Sequence, residues 1–90
     1  MAICVQLIGY LGAKTNSLTR EVTVPRFHET GLREQHLDTF RLVSWNYRPS
    51  ALLYQAKEKS QVAISGRLEN DETGRPIIIV EQVAVLHESD

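Results

Sequence analysis

Apolar residues recur in five short runs along the 90-residue chain, and polar stretches with glycine or proline separate these runs. The first run, residues 2–11, is apolar at most positions and is bent at Gly9, which predicts a first strand with apolar side chains on both faces. Such a strand needs cover on both sides, so we expect one face to meet another subunit. Cys4 lies in this run and is expected to be buried.

The second run, residues 21–27, predicts a strand that places Val22 and Val24 towards the core. Pro25 cannot donate a hydrogen bond to a neighbouring strand, so this strand is expected at an edge or a bulge. The following polar segment HETGLREQHLD, residues 28–38, is typical of a hairpin loop.

The third run, residues 39–47, predicts a strand whose two faces carry different side chains. Successive side chains of a strand point to opposite faces, so one face carries Thr39, Arg41, Val43, Trp45 and Tyr47. An unpaired arginine is rarely buried in a core. Phe40 and Leu42 are therefore expected to face inward, and Trp45 is expected to lie with Arg41 on the outer face.

The rest of the chain predicts one helix and two more strands. Residues 50–57 follow Pro49, which permits a helix start, and have the spacing of a two-turn helix. Residues 61–68 and 76–86 predict the fourth and fifth strands. The segment between them, ENDETGR, has the composition of a turn.

Three strands, a short helix and two further strands are the order of an all-β, five-stranded OB-fold barrel. An SH3-like barrel, the competing small barrel, does not normally place a helix between its third and fourth strands. We expect a single OB-fold domain over residues 1–87, followed by a short polar tail at residues 88–90.

Charge is distributed unevenly along the chain. Residues 1–68 carry nine Lys or Arg and five Asp or Glu, whereas residues 69–90 carry one Arg and six acids. A phosphate-binding surface therefore belongs to the first two thirds of the chain. The alternative is that both sets of charges are merely solvated.

The lone cysteine and the first apolar run bear on location. One cysteine cannot form an internal disulfide, which suits a reducing cytoplasm. The first run contains Gln6, lacks a basic flank and is shorter than the about 20 residues that a bilayer requires. We therefore expect no signal peptide, no membrane partner and a cytoplasmic protein.

Catalytic and metal-binding patterns find no support in the sequence. His28, His36 and His87 show no close metal-ligand spacing, and one cysteine cannot build a thiolate zinc site. Glu69 and Asp71 lie in an exposed turn, where nothing excludes water or raises a carboxyl pKa. We expect a binding protein rather than an enzyme, with no metal and no cofactor.

Four segments together resemble the bacterial and organellar single-stranded DNA-binding protein family. VQLIGYLG, residues 5–12, is similar to the opening strand of the family, and DTFRLVSW, residues 38–45, is similar to its third strand. KSQVAISGRL, residues 59–68, resembles a lysine-rich turn followed by G-x-x-V-x-I-x-G-R-L, with Ser60 at the first glycine. IIIVEQVAVL, residues 77–86, resembles the closing strand.

The resemblance implies binding of single-stranded DNA by base stacking and phosphate contacts. Trp45 matches an aromatic on which the family stacks a base, Arg41 matches a basic position on the same face, and Phe27 falls near another stacking aromatic. The predicted outer face adds three further candidate DNA contacts, Tyr47, Arg48 and Arg67.

The family likeness also implies a biological setting. A protein of this kind coats or hands over single-stranded DNA in DNA replication, repair or recombination, and it is nucleoid-associated in the cytoplasm or organellar. We expect a homo-oligomer, a dimer or a tetramer, joined through the first strand, with replication proteins as further partners.

Three departures from the family pattern favour a second hypothesis. Thr39 stands where the family has a tryptophan, the turn ENDETGR has three acids and no aromatic, and HESD does not match the acidic, hydrophobic tip that the family offers to partner proteins. The alternative is an OB-fold adaptor of primosomal type with weak or no DNA binding. Trp45 would then fill a subunit interface; for Phe27 the alternative to stacking is a core position.

Overall fold

The computed structural model describes residues 2–13, 18–26, 36–46, 48 and 51–89, with only the backbone described at Arg26 and His36. Its elements are β1 (Ile3–Leu11), β2 (Thr19–Arg26), β3 (His36–Ser44), α1 (Leu52–Gln55), β4 (Gln61–Asn70) and β5 (Pro76–His87). The strands close into a barrel in the order β1-β2-β3-β5-β4. Neighbouring strands are antiparallel, except that β3 and β5 run parallel. This is the predicted OB-fold barrel, with the helix between the third and fourth strands.

The second and third strands differ most from their predicted bounds. β2 begins at Thr19, opposite Val43, and β3 begins at His36, so the end of the predicted loop belongs to the sheet. The longer pairing is favoured because every added residue pair satisfies backbone polar groups. β3 ends at Ser44, and Trp45 follows it in a turn.

Aliphatic side chains from the strands and the helix fill the barrel. Val22 and Leu42, which the sequence predicts to face inward, are buried in one cluster with Val62 and Ile64 of β4, whereas Val24 is only half-buried. Leu53 of α1 and the following Ala56 pack against the same cluster. Because alternation along a strand separates core from surface, the sequence pattern identified part of this core correctly.

Arg20 on β2 is buried beside this apolar core, with only 1% of its surface exposed. Its guanidinium donates to the carbonyl oxygens of Leu53 at 2.8 Å, Ala56 at 2.5 Å and Gly12 at 3.0 Å. Burial lowers the pKa of Arg20, and the nearby Glu58 opposes that shift. The side chain therefore joins β2 to the residue after β1 and to carbonyls that the end of α1 leaves unpaired.

Two predictions about burial are wrong. Phe40, expected in the core, is 38% exposed, because β5 pairs with β3 only from Leu42 to Ser44 and does not extend alongside it. Cys4, expected to be buried, is exposed because it lies on the outer face of β1, opposite Arg67 of β4.

The connection from α1 to β4 differs from the prediction in two ways. α1 covers only four residues, and the backbone of Ala56 is already extended. The left-handed backbone position is Lys59, with φ of 70°, which lies three residues before Val62, as the family pattern requires of its first glycine. Placing that glycine at Ser60 is therefore wrong; Ser60 is buried, and its hydroxyl accepts a hydrogen bond from the N–H of Ser89 at 3.2 Å.

Candidate nucleic-acid interface

Trp45 directly follows β3, on the outer side of the sheet that its sequence position predicts. Its backbone N–H donates to the carbonyl of Val80 on β5 at 3.0 Å, which holds the tryptophan backbone against the sheet. The residue is 59% exposed. An uncovered aromatic ring on a firmly held backbone is what stacking of an unpaired base requires.

Val43 lies between Arg41 and Trp45 on β3 and is only 6% exposed, although it belongs to the outer face. It forms the apolar floor of a groove with Ile77 and Ile79 of β5. Residues 69–73, at the end of β4 and in the turn that follows it, border this groove, which has a volume of about 450 Å³. We call it the hairpin groove, and its apolar floor suits the flat face of a base or sugar.

Arg41 is tied to the turn between β4 and β5. Its Nη2 lies 2.7 Å from Oδ2 of Asp71 and donates to the carbonyl of Pro76 at 3.0 Å. The acidic turn is thus a specific ion-pair partner of a candidate phosphate-binding arginine, in addition to a source of negative charge.

Asp71 is held in this position by its own turn. Its Oδ1 accepts hydrogen bonds from the hydroxyl of Thr73 at 2.6 Å, from the N–H of Thr73 at 2.9 Å and from the N–H of Arg75 at 3.0 Å. The Thr73 hydroxyl first, and then the guanidinium of Arg41, hold the pKa of Asp71 well below its usual range. The carboxylate therefore remains ionised at neutral and mildly acidic pH.

Arg67 on β4 also has carboxylate neighbours. Its Nη1 lies 3.2 Å from Oε2 of Glu69, and its Nε lies 3.8 Å from Oε1 of Glu81. The second distance is too long for a hydrogen bond, and the buried Nε has no hydrogen-bond partner in the described part of the chain. Arg41 and Arg67, which the sequence predicts on the outer face of the sheet, therefore both lie close to carboxylate groups.

The other predicted site residues lie outside this pairing. Arg48 is exposed, and its backbone N–H donates to Oδ1 of Asn46 at 3.3 Å. Tyr47 and Phe27 lie outside the described residues. The structure thus places Arg41 on β3, Trp45 directly after that strand and Arg67 on β4, which β5 separates from β3. Arg48 lies beyond the end of β3.

A second recess adjoins Trp45 on the side of β4 and β5. It has a volume of about 520 Å³ and is lined by Trp45, Ser65, Glu81 and Gln82. We call it the Trp45 recess. Ser65, Glu81 and Gln82 all carry hydrogen-bonding groups, so a base stacked on Trp45 would meet polar groups at its edge.

No protein-family model matches the sequence, and no curated protein matches it. Solved structures do match. The mitochondrial single-stranded DNA-binding protein Rim1 of S. cerevisiae has a TM-score of 0.71 at 10% identity, over 99% of both chains. The small single-stranded DNA-binding protein of Streptomyces coelicolor has a TM-score of 0.67 at 11% identity, over 94% of both chains.

The chain shares its fold with single-stranded DNA-binding proteins. The N-terminal domain of PriB from Thermoanaerobacter tencongensis, whose structure is described as dimeric, has the same fold, with a TM-score of 0.58 at 13% identity. That match covers 96% of this chain and 98% of the PriB domain. The fold expected from the family resemblance is therefore confirmed.

The described residues contain neither a metal-ligand cluster nor a membrane-spanning helix. They contain no group of three or more His, Cys, Asp or Glu that could hold a metal ion. Their only helix, with four residues, is far too short to cross a membrane.

Sequence reasoning missed several parts of this surface. The sequence shows Asp71 only as one of three acids in a turn, and it predicts neither the apolar floor at Ile77 and Ile79 nor the place of Glu81 beside Trp45. The lack of alternation in β5 is the one sequence signal for an apolar outer face, because apolar residues fall on both faces of that strand. No local signal pairs Arg41 with Asp71, because they are 30 residues apart.

Proposed function

We propose that this chain is a single-stranded DNA-binding OB-fold protein that receives the strand on the outer face of β3 and β5. The observation that carries this proposal is the exposed indole of Trp45, which directly follows β3 and lines the Trp45 recess, two residues after Val43 of the hairpin groove. Stacking of a base on an aromatic ring contributes about 1–3 kcal/mol and tolerates any sequence. The hairpin groove and the Trp45 recess offer room to the neighbouring bases.

Arg41, Arg48 and Arg67 are the candidate phosphate contacts. Each phosphate contact to a single strand contributes about −0.7 to the slope of log affinity against log salt. Arg41 and Arg67 already have carboxylate partners, so a phosphate must compete with a charge of the same molecule. We therefore expect binding by one subunit to be weak and to fall steeply with salt.

Self-association through β1 would let two sites share one strand of DNA and so raise the affinity. β1 pairs with β4 from Ile3 to Tyr10 but with β2 only at Tyr10 and Leu11, so within the described residues most of one β1 edge is unpaired. Ile3 and Ile8 on this strand are exposed. Because an unpaired strand edge is a template for a second chain, these features support a dimer or a tetramer.

The biological role that follows is non-enzymatic. The chain would coat single-stranded DNA or hand it over in replication, repair or recombination, in a nucleoid-associated or organellar setting. Replication proteins are the expected further partners.

Titration of Trp45 fluorescence with a short oligo-dT, at low and at moderate salt, tests the proposal. We expect quenching that weakens steeply as salt rises. In parallel, anisotropy of a labelled oligonucleotide should show that Trp45→Ala weakens binding by about 5- to 100-fold, the equivalent of one lost stack. Leu52→Ala removes another exposed apolar side chain, on α1, and should leave the affinity unchanged.

A second candidate function is favoured by the carboxylate partners of Arg41 and Arg67. An OB-fold adaptor that contacts proteins does not need free cations on this face. Absence of both quenching and anisotropy change at low salt, in a protein shown by circular dichroism to be folded, would support the adaptor and reject DNA binding.

A further inference from the structure

The Trp45 recess owes its polar lining to an irregularity in β5. Ser65 lies opposite Gln82, but the next residue, Gly66, lies opposite Val80, so Glu81 is an extra residue in β5. In a regular strand the neighbours Glu81 and Gln82 would point to opposite faces. The bulge lets both line the recess beside Trp45.

Gly66 makes this bulge possible. A Cβ atom at this position would lie 2.1 Å from the carbonyl oxygen of Ile79, so only glycine allows β4 to approach β5 this closely. The arrangement of a carboxylate, an amide and a hydroxyl around an exposed indole is thus built into the backbone.

We propose that the Trp45 recess is a base-selective subsite that prefers guanine, with Glu81 as the hydrogen-bond acceptor for the Watson–Crick edge of the base. The proposal deepens the DNA-binding function above and rests on it. A base stacked on Trp45 presents its edge to the polar side chains of the recess. An ionised carboxylate there only accepts hydrogen bonds, so the recess selects bases by the donors that they offer.

Guanine alone among the four DNA bases has two adjacent donors on this edge, N1–H and the N2 amino group. These match the two oxygens of a carboxylate, in the geometry that makes bidentate charge-assisted pairs strong. Adenine and cytosine place one donor next to an acceptor nitrogen, and thymine places its single N–H between two carbonyl oxygens. The hydroxyl of Ser65 and the amide of Gln82 can donate to O6 of guanine.

Arg67 supports the role of Glu81 from behind. Its Nε lies 3.8 Å from Oε1 of Glu81, near enough for an ion pair but too far for a hydrogen bond that would occupy the carboxylate. Glu81 is exposed and can therefore turn towards a base without breaking a core contact.

Three oligonucleotides of equal length test the proposal by quenching of Trp45 fluorescence: oligo-dT, the same strand with dG at every third position, and the same strand with deoxyinosine there. A lithium buffer prevents quadruplex formation. We expect the dG strand to bind at least about fivefold tighter than oligo-dT, since a good bidentate pair discriminates by about 1–3 kcal/mol. Deoxyinosine lacks only the N2 amino group and should fall between the two.

Two variants separate base recognition from general electrostatics. Glu81→Gln should bring the ratio of dG to dT affinity close to one, because an amide no longer favours two donors. Glu72→Gln removes one negative charge from the border of the hairpin groove, outside the Trp45 recess, and should change both affinities by the same factor.

The outcomes distinguish this inference from the proposed function. Equal affinity for all three strands, or a preference for the dG strand that survives Glu81→Gln, would overturn the guanine subsite. Single-stranded DNA binding would still stand. Absence of quenching by every strand, with no anisotropy change, would overturn both.

Discussion

The guanidinium of Arg41 and the carboxylate of Asp71 lie 2.7 Å apart, and Asp71 also borders the hairpin groove. A phosphate that approaches Arg41 therefore meets a cation that is already paired, and it is also repelled by the acid. Asp71 is in turn held by the hydroxyl of Thr73, so the pair is kept in place by the turn rather than formed by chance contact of two long side chains.

We predict that Asp71→Asn strengthens binding of oligo-dT, by about threefold to tenfold at low salt, because Arg41 becomes available to a phosphate. The slope of log affinity against log salt should steepen by about 0.7, the value of one phosphate contact. A salt series of anisotropy titrations measures both. Glu72→Gln makes the same change of net charge without touching Arg41, and an equal gain from it would show that Asp71 acts only through net charge.

The depressed pKa of Asp71 gives this prediction a pH signature. The carboxylate stays ionised as pH falls from 7 to 5, so the advantage of Asp71→Asn over the wild type should persist over that range. Any stability from the pair is present above the ordinary aspartate pKa of about 3.9 and is lost as pH falls further, through the folded-state value. If the variant and the wild type bound oligo-dT equally well at pH 5, the assignment of an ionised Asp71 paired with Arg41 would be contradicted.

Among the elements of the fold, the helix α1 is stabilised by Arg20 more than by its own sequence. A four-residue helix has no independent stability, and its end is held by hydrogen bonds from the Arg20 guanidinium to Leu53 and Ala56. The same side chain reaches Gly12, so one residue holds together three parts of the chain.

We predict that Arg20→Met lowers the free energy of unfolding by about 2–3 kcal/mol, because buried carbonyl groups lose their donors. Urea denaturation followed by circular dichroism measures the loss. Arg20→Lys keeps the charge but cannot reach all three carbonyls, and it should lie between methionine and the wild type. Full stability of the methionine variant would show that the carbonyls find other partners.

The turn before β4 contains a strained residue, Lys59, with φ of 70°. A left-handed non-glycine residue costs about 1–2 kcal/mol, and glycine relieves most of this strain. We therefore predict that Lys59→Gly raises the free energy of unfolding by about 1 kcal/mol. Lys59→Ala removes the same charge but keeps the strain and should bring no gain; equal effects of the two variants in urea denaturation would point to charge instead.

For the whole molecule, exposed apolar residues on β1 favour association of subunits. We predict that light scattering at micromolar concentration gives the mass of a dimer or a tetramer, and that Ile8→Lys shifts the mass towards the monomer. Leu52→Lys places the same charge on another exposed apolar position, on α1, and should leave the mass unchanged. A wild-type monomer would contradict association through β1.

Much of this architecture can be predicted from the sequence. Alternation in the third strand was enough to place Leu42 in the core and Trp45 on the outer face, because strand geometry sends successive side chains to opposite sides. The same rule placed Phe40 in the core, which was wrong: alternation gives the direction of a side chain, whereas the extent of neighbouring strands decides how well it is covered.

The parts of the site that involve distant residues became visible only in the folded chain. Asp71 meets Arg41 across 30 residues, and Glu81 reaches the recess of Trp45 through a bulge opposite Gly66. Periodicity and strand order are local properties of the chain, so the sequence pattern was sufficient for the barrel and for the side of the sheet that carries Trp45. Ion pairs and recess linings depend on strand register and turn geometry, which are set by packing of the whole barrel.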